Sequence, residues 1–214
     1  MEIVDLSHTI SPDMPVYPGT EPPTFSTACT IDGIGFTEKK ITLYSHTGTH
    51  MDAPSHIIPG AKTLDQMPPD RFMGKGAVID LGVNEGSTID IELLKVHQSR
   101  IERCEFLLFH TGWGDLWGKK AYLKGYPVLS HEAATWLAGF PLKGIGADTI
   151  SADEAESAAF PIHTLFLERD IVVIENLTNL KALPNMEFIF MCFPLKIEEA
   201  DGSPVRAVAL VDGK

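Results

Sequence analysis

Apolar positions along this chain gather into short runs separated by polar, glycine- or proline-bearing segments. Gly76–Leu81, Phe106–Phe109, Ile145–Ala147, Ile171–Ile174, Phe188–Phe193 and Val205–Val211 are such runs. Runs of this length bounded by turn residues predict strands. Glu38–Tyr44 carries a further strand pattern. Two segments predict helices instead: Ile89–His97 behind Thr88 or Asp90 as cap, and Ser130–Ala138. In the second, Ser130 is the expected N-cap, Glu132 favours the positive first turn, and Gly139 is the stop. The first 40 residues carry Pro12, Pro15, Pro18, Pro22 and Pro23, which predict extended and turn structure. Strands interleaved with a few helices, without repeats or a linker, predict one α/β or α+β domain over residues 1–214.

Three of the apolar runs end in a residue able to do chemistry: His110, Asp148 and Glu175. Sites in open α/β sheets gather beyond the carboxyl ends of strands, so a shared pocket there is the expectation.

Composition narrows the classes. A chain of 214 residues suffices for one sizeable core. Its 44% apolar and 21% charged content is that of an ordinary globular protein, and its net charge of −12 argues against nucleic acid or an anionic membrane as partner. The N-terminal segment has neither the basic nor the apolar region of a signal peptide, and no apolar run approaches the ~18 residues of a membrane span. Cys29, Cys104 and Cys192 are odd in number and without CxxC spacing. They read as reduced thiols in a cytoplasmic protein, with Cys104 and Cys192 in the core.

The segment from His46 to His56, His-Thr-Gly-Thr-His-Met-Asp-Ala-Pro-Ser-His, holds three of the eight histidines and a carboxylate at even spacing. Imidazole and carboxylate are ligands of borderline-hard divalent ions, and a site without cysteine is a catalytic rather than a closed structural pattern. In an extended strand, residues 46, 48, 50, 52, 54 and 56 share one face. A helix would set Asp52 nearly opposite His50, and Gly48 and Pro54 disfavour it. A strand end bearing His46, His50 and Asp52, left near Ala53 and followed by a turn that returns His56, is therefore expected. Gly48 would give an ion or substrate access to the backbone. The competing reading is a polar loop of solvent-facing histidines, which such crowding disfavours.

Two distant residues join this list less directly. Glu175 ends an Ile/Val run, where a buried carboxylate requires a proton, cation or metal, while a surface position would require nothing. His163, twelve residues upstream, is by itself as compatible with a satisfied helix histidine as with a ligand. The glycine- and aromatic-rich segment His110–Gly118, continuing to Tyr122 and Tyr126, can form a pocket wall, a mobile lid or an ordinary core-packed loop. Gly144-Ile-Gly146 lacks the third glycine of a dinucleotide-binding loop.

Taken together, the histidine motif, His163 with Glu175, Thr111-Gly-Trp113, Gly146-Ala-Asp148-Thr-Ile-Ser151 and Ala200-Asp-Gly-Ser-Pro-Val-Arg206 resemble the cyclase-family metal-dependent hydrolases. Within that family they resemble the bacterial kynurenine formamidases. The resemblance runs from Val4-Asp-Leu-Ser7 to Arg206. It implies a swivelling β/β/α domain with a mixed sheet core, assembled as a homodimer or homotetramer. It implies two zinc ions per subunit, with manganese as the alternative. His46, His50 and Asp52 correspond to ligands of one ion and His163 to a ligand of the other, with Asp52 and Glu175 as bridges. His56 corresponds to the proton donor and acceptor. Tyr17, in Pro15-Val-Tyr-Pro-Gly19, stands where the formamidases carry a tryptophan that packs against substrate; a turn residue without a ligand role is the competing reading.

The activity implied is amide hydrolysis of an aryl formamide, N-formyl-L-kynurenine before others, to L-kynurenine and formate by attack of a metal-activated water. A cyclic amide or lactone hydrolase of the isatin hydrolase kind is the alternative within the family. A metal-binding module without turnover is the alternative outside it.

Overall fold

The computed structural model describes residues 1–82, 85–183 and 187–211. In chain order its strands are β1 (Glu2–Asp5), β2 (Thr24–Cys29), β3 (Glu38–Thr42), β4 (His50–Asp52), β5 (Met73–Asp80), β6 (Thr88–Ile89) and β7 (Phe106–His110). They continue with β8 (Val128–Leu129), β9 (Gly144–Ala147), β10 (Val172–Glu175), β11 (Phe188–Met191), β12 (Gly202–Pro204) and β13 (Val208–Val211). The helices are α1 (Ile31–Ile34), α2 (Ile91–Lys95), α3 (Gln98–Ile101), α4 (His131–Leu137) and α5 (Pro161–Leu167).

Nine strands form one mixed sheet in the order β1-β13-β11-β5-β7-β9-β10-β4-β12. Its centre, β5-β7-β9-β10, is parallel, and every other pairing is antiparallel. The parallel strands are those read from continuous apolar runs, as strands covered on both faces require. On one face Ile79, Leu107, Phe109, Ile145 and Val173 pack against Leu94, Leu137, Phe166 and their neighbours from α2, α4 and α5. On the other, Val78, Phe106, Leu108, Val172 and Ile174 pack with Leu6, Met51, Phe190 and Ala209. The fold is thus mixed α/β around a large sheet. No helix among the described residues is long and apolar enough to cross a membrane. Cys104 and Cys192 are buried, as their apolar surroundings predict, and all three thiols are free.

Local signals held where they were strongest. Ser130 is the N-cap of α4, its Oγ accepting the Ala133 N–H at 3.1 Å. The helix expected over Ile89–His97 is shorter: Thr88 and Ile89 pair with β8, and α2 begins only after Asp90. The Glu38–Tyr44 strand exists as β3, yet it stands outside the main sheet, paired only with β2 in a two-stranded ribbon.

Candidate metal centre

The histidine motif is built from two pieces rather than one strand. The strand begins at His50, so the expected common face holds for His50 and Asp52 but not for His46 or Gly48. Gly48 sits at φ +67°, a left-handed turn that folds the chain before β4. Ion access is not its role. A side chain there would meet Ile10 at 3.2 Å, and its carbonyl accepts bonds from His50 Nδ1–H (2.8 Å) and Asn176 Nδ2–H (2.9 Å). That bond commits Nδ1 of His50 and leaves Nε2 turned toward the site. Beyond Ala53 the chain leaves the sheet, and a 3₁₀ turn over Pro54–His56 brings His56 back beside His46, ring centroids 4.0 Å apart.

Sheet register supplies the rest. β10 runs antiparallel to β4 with Glu175 directly opposite His50, so the carboxylate at the end of the Ile/Val run lands inside the cluster. His163 arrives from α5, where Pro161 opens the helix. The two carboxylates divide their oxygens between the imidazoles. Asp52 presents Oδ1 to His46 Nδ1 (2.7 Å) and His50 Nε2 (3.4 Å), and Oδ2 to His163 Nε2 (3.4 Å). Glu175 presents Oε2 to His50 Nε2 (3.3 Å) and Oε1 to His163 Nε2 (3.1 Å). Two overlapping groups result, His46/His50/Asp52 and Asp52/His163/Glu175, each with its donor atoms within 4.8 Å of one another. All of these but His46 are buried. Carboxylates that reach two imidazole sets at once are the donor arrangement that two neighbouring divalent ions require.

Charge within the cluster is strongly coupled. Burial pulls the His46 pKa down, but the Asp52 charge and hydrogen bond, with Asp201 behind them, overcome it and raise it to about 9. His50 and His163 are raised for the same reason: burial opposes the shift, and Glu175, Asp52 and Asp153 outweigh it. Asp52 and Glu175 are lowered because the facing imidazoles outweigh the burial that would raise them. His56 goes the other way. Burial lowers its pKa, and the partial opposition of Asp52 does not reverse that. It is therefore a neutral imidazole at neutral pH, able to accept a proton.

Several residues that order the site were not singled out from the sequence. Asp153 accepts His163 Nδ1–H at 2.7 Å and also the Ile162 and His163 backbone N–H groups at the start of α5. Asp201 lies 3.1 Å from His46 Nε2 and 3.6 Å from His56 Nδ1, forming a third and more open donor group, His46/His56/Asp201. Gly202 makes room for His46, since a Cβ there would fall 2.5 Å from the ring. The Asp-Gly pair at 201–202 was visible as part of a motif, but nothing in its spacing tied it to His46.

The strand-end triad does not converge. Only Glu175 enters the cluster. Asp148 accepts bonds from Thr111 N (2.9 Å) and Oγ1 (2.6 Å), Gly112 N (2.9 Å) and Gly114 N (3.3 Å), while His110 Nδ1 faces Asp80 at 3.0 Å. The loop so anchored is a packed wall rather than a free lid. Trp113, Tyr122, Tyr126 and Ile150 form a buried cluster against which Tyr17 and Trp117 pack. Trp117 also stacks on His8 at 3.8 Å. The Tyr17 hydroxyl donates to Ala155 O at 3.3 Å; burial, then the charge of Glu175, raise its pKa, which puts it within electrostatic reach of the cluster.

Residues 4–154 match the family described as putative cyclase. The chain belongs to this family. It is 32% identical to a kynurenine formamidase of Salinibacter ruber, over 97% of each chain. Among solved structures it is similar to isatin hydrolase A from Ralstonia solanacearum, with a TM-score of 0.87 and 30% identity over 99% of this chain and 92% of that one. It is also similar to a structure described as a predicted metal-dependent hydrolase from Bacillus stearothermophilus, with a TM-score of 0.80 and 26% identity over 97% of each chain.

Proposed function

We propose that this protein is a metal-dependent amidohydrolase that cleaves an aryl formamide, N-formyl-L-kynurenine foremost, to the arylamine and formate. It is a hydrolase acting on a non-peptide C–N bond. The observation that carries this reading is the division of the Asp52 and Glu175 oxygens between His46/His50 and His163. His46, His50 and Asp52 would hold one ion, His163 the second, and Asp52 and Glu175 both. Zinc fits the imidazole-rich set, with manganese as the alternative. When bound, the ions polarise the carbonyl and lower the pKa of water toward ~7.

The chain's own groups do the remainder. His56, neutral and partly open to solvent beside His46, takes the proton of the attacking water and returns it to the leaving nitrogen as the C–N bond breaks. Tyr17, partly buried and packed on the aromatic cluster, offers a flat apolar face to an aryl ring. The phenol in place of a larger indole leaves more room there. A small-molecule substrate and a cytoplasmic setting fit the acidic surface and the three free thiols.

Metal analysis of the purified protein with a kynurenine-release assay tests the proposal. His56→Ala is expected to keep its metal and lose most of the hydrolytic rate, on the order of 10²–10⁴-fold. His50→Ala and Asp52→Ala should lose metal. Full activity in His56→Ala would remove its role, and a metal-loaded wild type inactive on aryl formamides would remove the substrate assignment but leave the hydrolase class standing. The likeness to isatin hydrolase A favours one second reading, opening of a cyclic amide such as isatin. A panel setting N-formylkynurenine against isatin separates the two.

A further inference from the structure

Asn176 is buried directly after Glu175 and sits at a left-handed φ of +57°, which asparagine tolerates better than most side chains. Each of its polar atoms has a partner. Its backbone N–H donates to Thr149 O (2.9 Å), and its carbonyl accepts the Thr49 hydroxyl (2.6 Å). Its side chain donates from Nδ2 to Gly48 O (2.9 Å) and accepts the Tyr122 hydroxyl at Oδ1 (2.7 Å). The hydrolysis described above uses neither Asn176 nor Tyr122.

The direction of this chain of bonds is fixed by chemistry. A peptide carbonyl can only accept, so Gly48 O must face the NH2 end of the Asn176 amide. That turns Oδ1 toward the Tyr122 hydroxyl, which must then donate to it. Gly48 O is also the acceptor of the His50 Nδ1–H at 2.8 Å, and it lies in the left-handed turn ahead of β4. At the other end Tyr122 is fully buried. The Trp113 Nε1–H donates to its carbonyl at 3.0 Å, and Trp117 meets its ring edge to face, centroids 5.2 Å apart. One end of the relay is thus anchored in the aromatic wall and the other at a candidate metal ligand.

We propose that Asn176 is a positioning residue for the metal centre. Oriented by the Tyr122 hydroxyl, it fixes the Gly48 carbonyl that commits Nδ1 of His50 and leaves Nε2 for the ion. An imidazole whose far N–H is held keeps the ligating tautomer and ring orientation, so groups behind a ligand tune metal affinity. This inference rests on the metal-centre reading but not on turnover or substrate.

Cobalt(II) titration against a chelator, read by visible absorption, tests it without substrate. A protein inactive on formamides would therefore leave the outcome unaffected. Asn176→Gly deletes the amide while tolerating the left-handed backbone, and Tyr122→Phe deletes only the hydroxyl. Asn176→Gly is expected to lose cobalt affinity on the order of tenfold, with an unchanged circular dichroism spectrum. Tyr122→Phe should lose less, in the same direction, because the amide remains without its orienting donor. The double variant should bind as Asn176→Gly alone does, since the hydroxyl acts only through the amide. In the zinc-loaded protein, the His50 Nδ1–H resonance should exchange with water faster in both single variants. Wild-type affinity or wild-type proton exchange in either single variant overturns the proposal, and so do losses that multiply in the double variant. Should Asn176→Gly fail to fold, affinity and proton exchange in Tyr122→Phe decide the matter. A wild type that takes up no cobalt overturns the proposal together with the metal-centre reading.

Discussion

His163 is held at both ring nitrogens. Asp153 takes the Nδ1–H at 2.7 Å, which turns Nε2 toward Asp52 and Glu175. A carboxylate behind a ligating imidazole fixes its tautomer and raises its basicity, and losing one weakens metal binding roughly 10–100-fold. Asp153→Asn keeps the shape but removes the charge and one acceptor oxygen. Its metal affinity is expected to fall about tenfold by chelator competition, with secondary structure intact. An unchanged affinity would show that α5 alone positions His163. The sequence named both ends of the Glu175–His163 pair but not this third partner. Asp153 lies in an irregular segment with no periodicity, and only the path of residues 151–160 brings it under the start of α5.

At the scale of elements, what was legible depended on whether the signal was local. The Ser130 cap and the continuous apolar runs carry their own structural cause and appear where expected. β12 could not be read, because Gly-Ser-Pro has no strand propensity and forms a strand only by pairing with β4. The turn at Gly48 was likewise hidden: even spacing implied one face, and a single left-handed residue broke it. Asp148 shows the same limit. Its place at a strand end suggested chemistry, yet it gathers four bonds from Thr111, Gly112 and Gly114. Asp148→Ala would strand these donors, each unmet buried one costing ~1–3 kcal/mol. With water reaching some of them, we expect a loss on the order of 3 kcal/mol in urea denaturation, with metal content retained. A loss under about 1 kcal/mol would mean that the aromatic wall holds the loop without it.

At the scale of the molecule, the metal-ligand candidates tie together segments far apart in the chain: residues 46–52 leading into β4, α5, and the end of β10. Without ions, protons on the imidazoles balance the two carboxylates. The raised pKa of His46 contributes stability that is complete below its ordinary 6.5 and lost as pH climbs through about 9. His50 and His163 act in the same direction. The lowered pKa values of Asp52 and Glu175 contribute in the opposite sense, present above the ordinary carboxylate range and lost as pH falls below it. The metal-free protein should therefore melt at falling temperatures between pH 6.5 and about 9. Ions must displace those same protons, so metal binding strengthens over that interval. An ion at a hundred times its dissociation constant adds about 2.7 kcal/mol, roughly 5–10 °C in a chain of this size. The drop in melting temperature caused by a chelator should consequently widen as pH rises through this range, measured by thermal denaturation with and without zinc. A drop that stays constant or narrows would mean that the imidazole protons and the metal do not compete for one site.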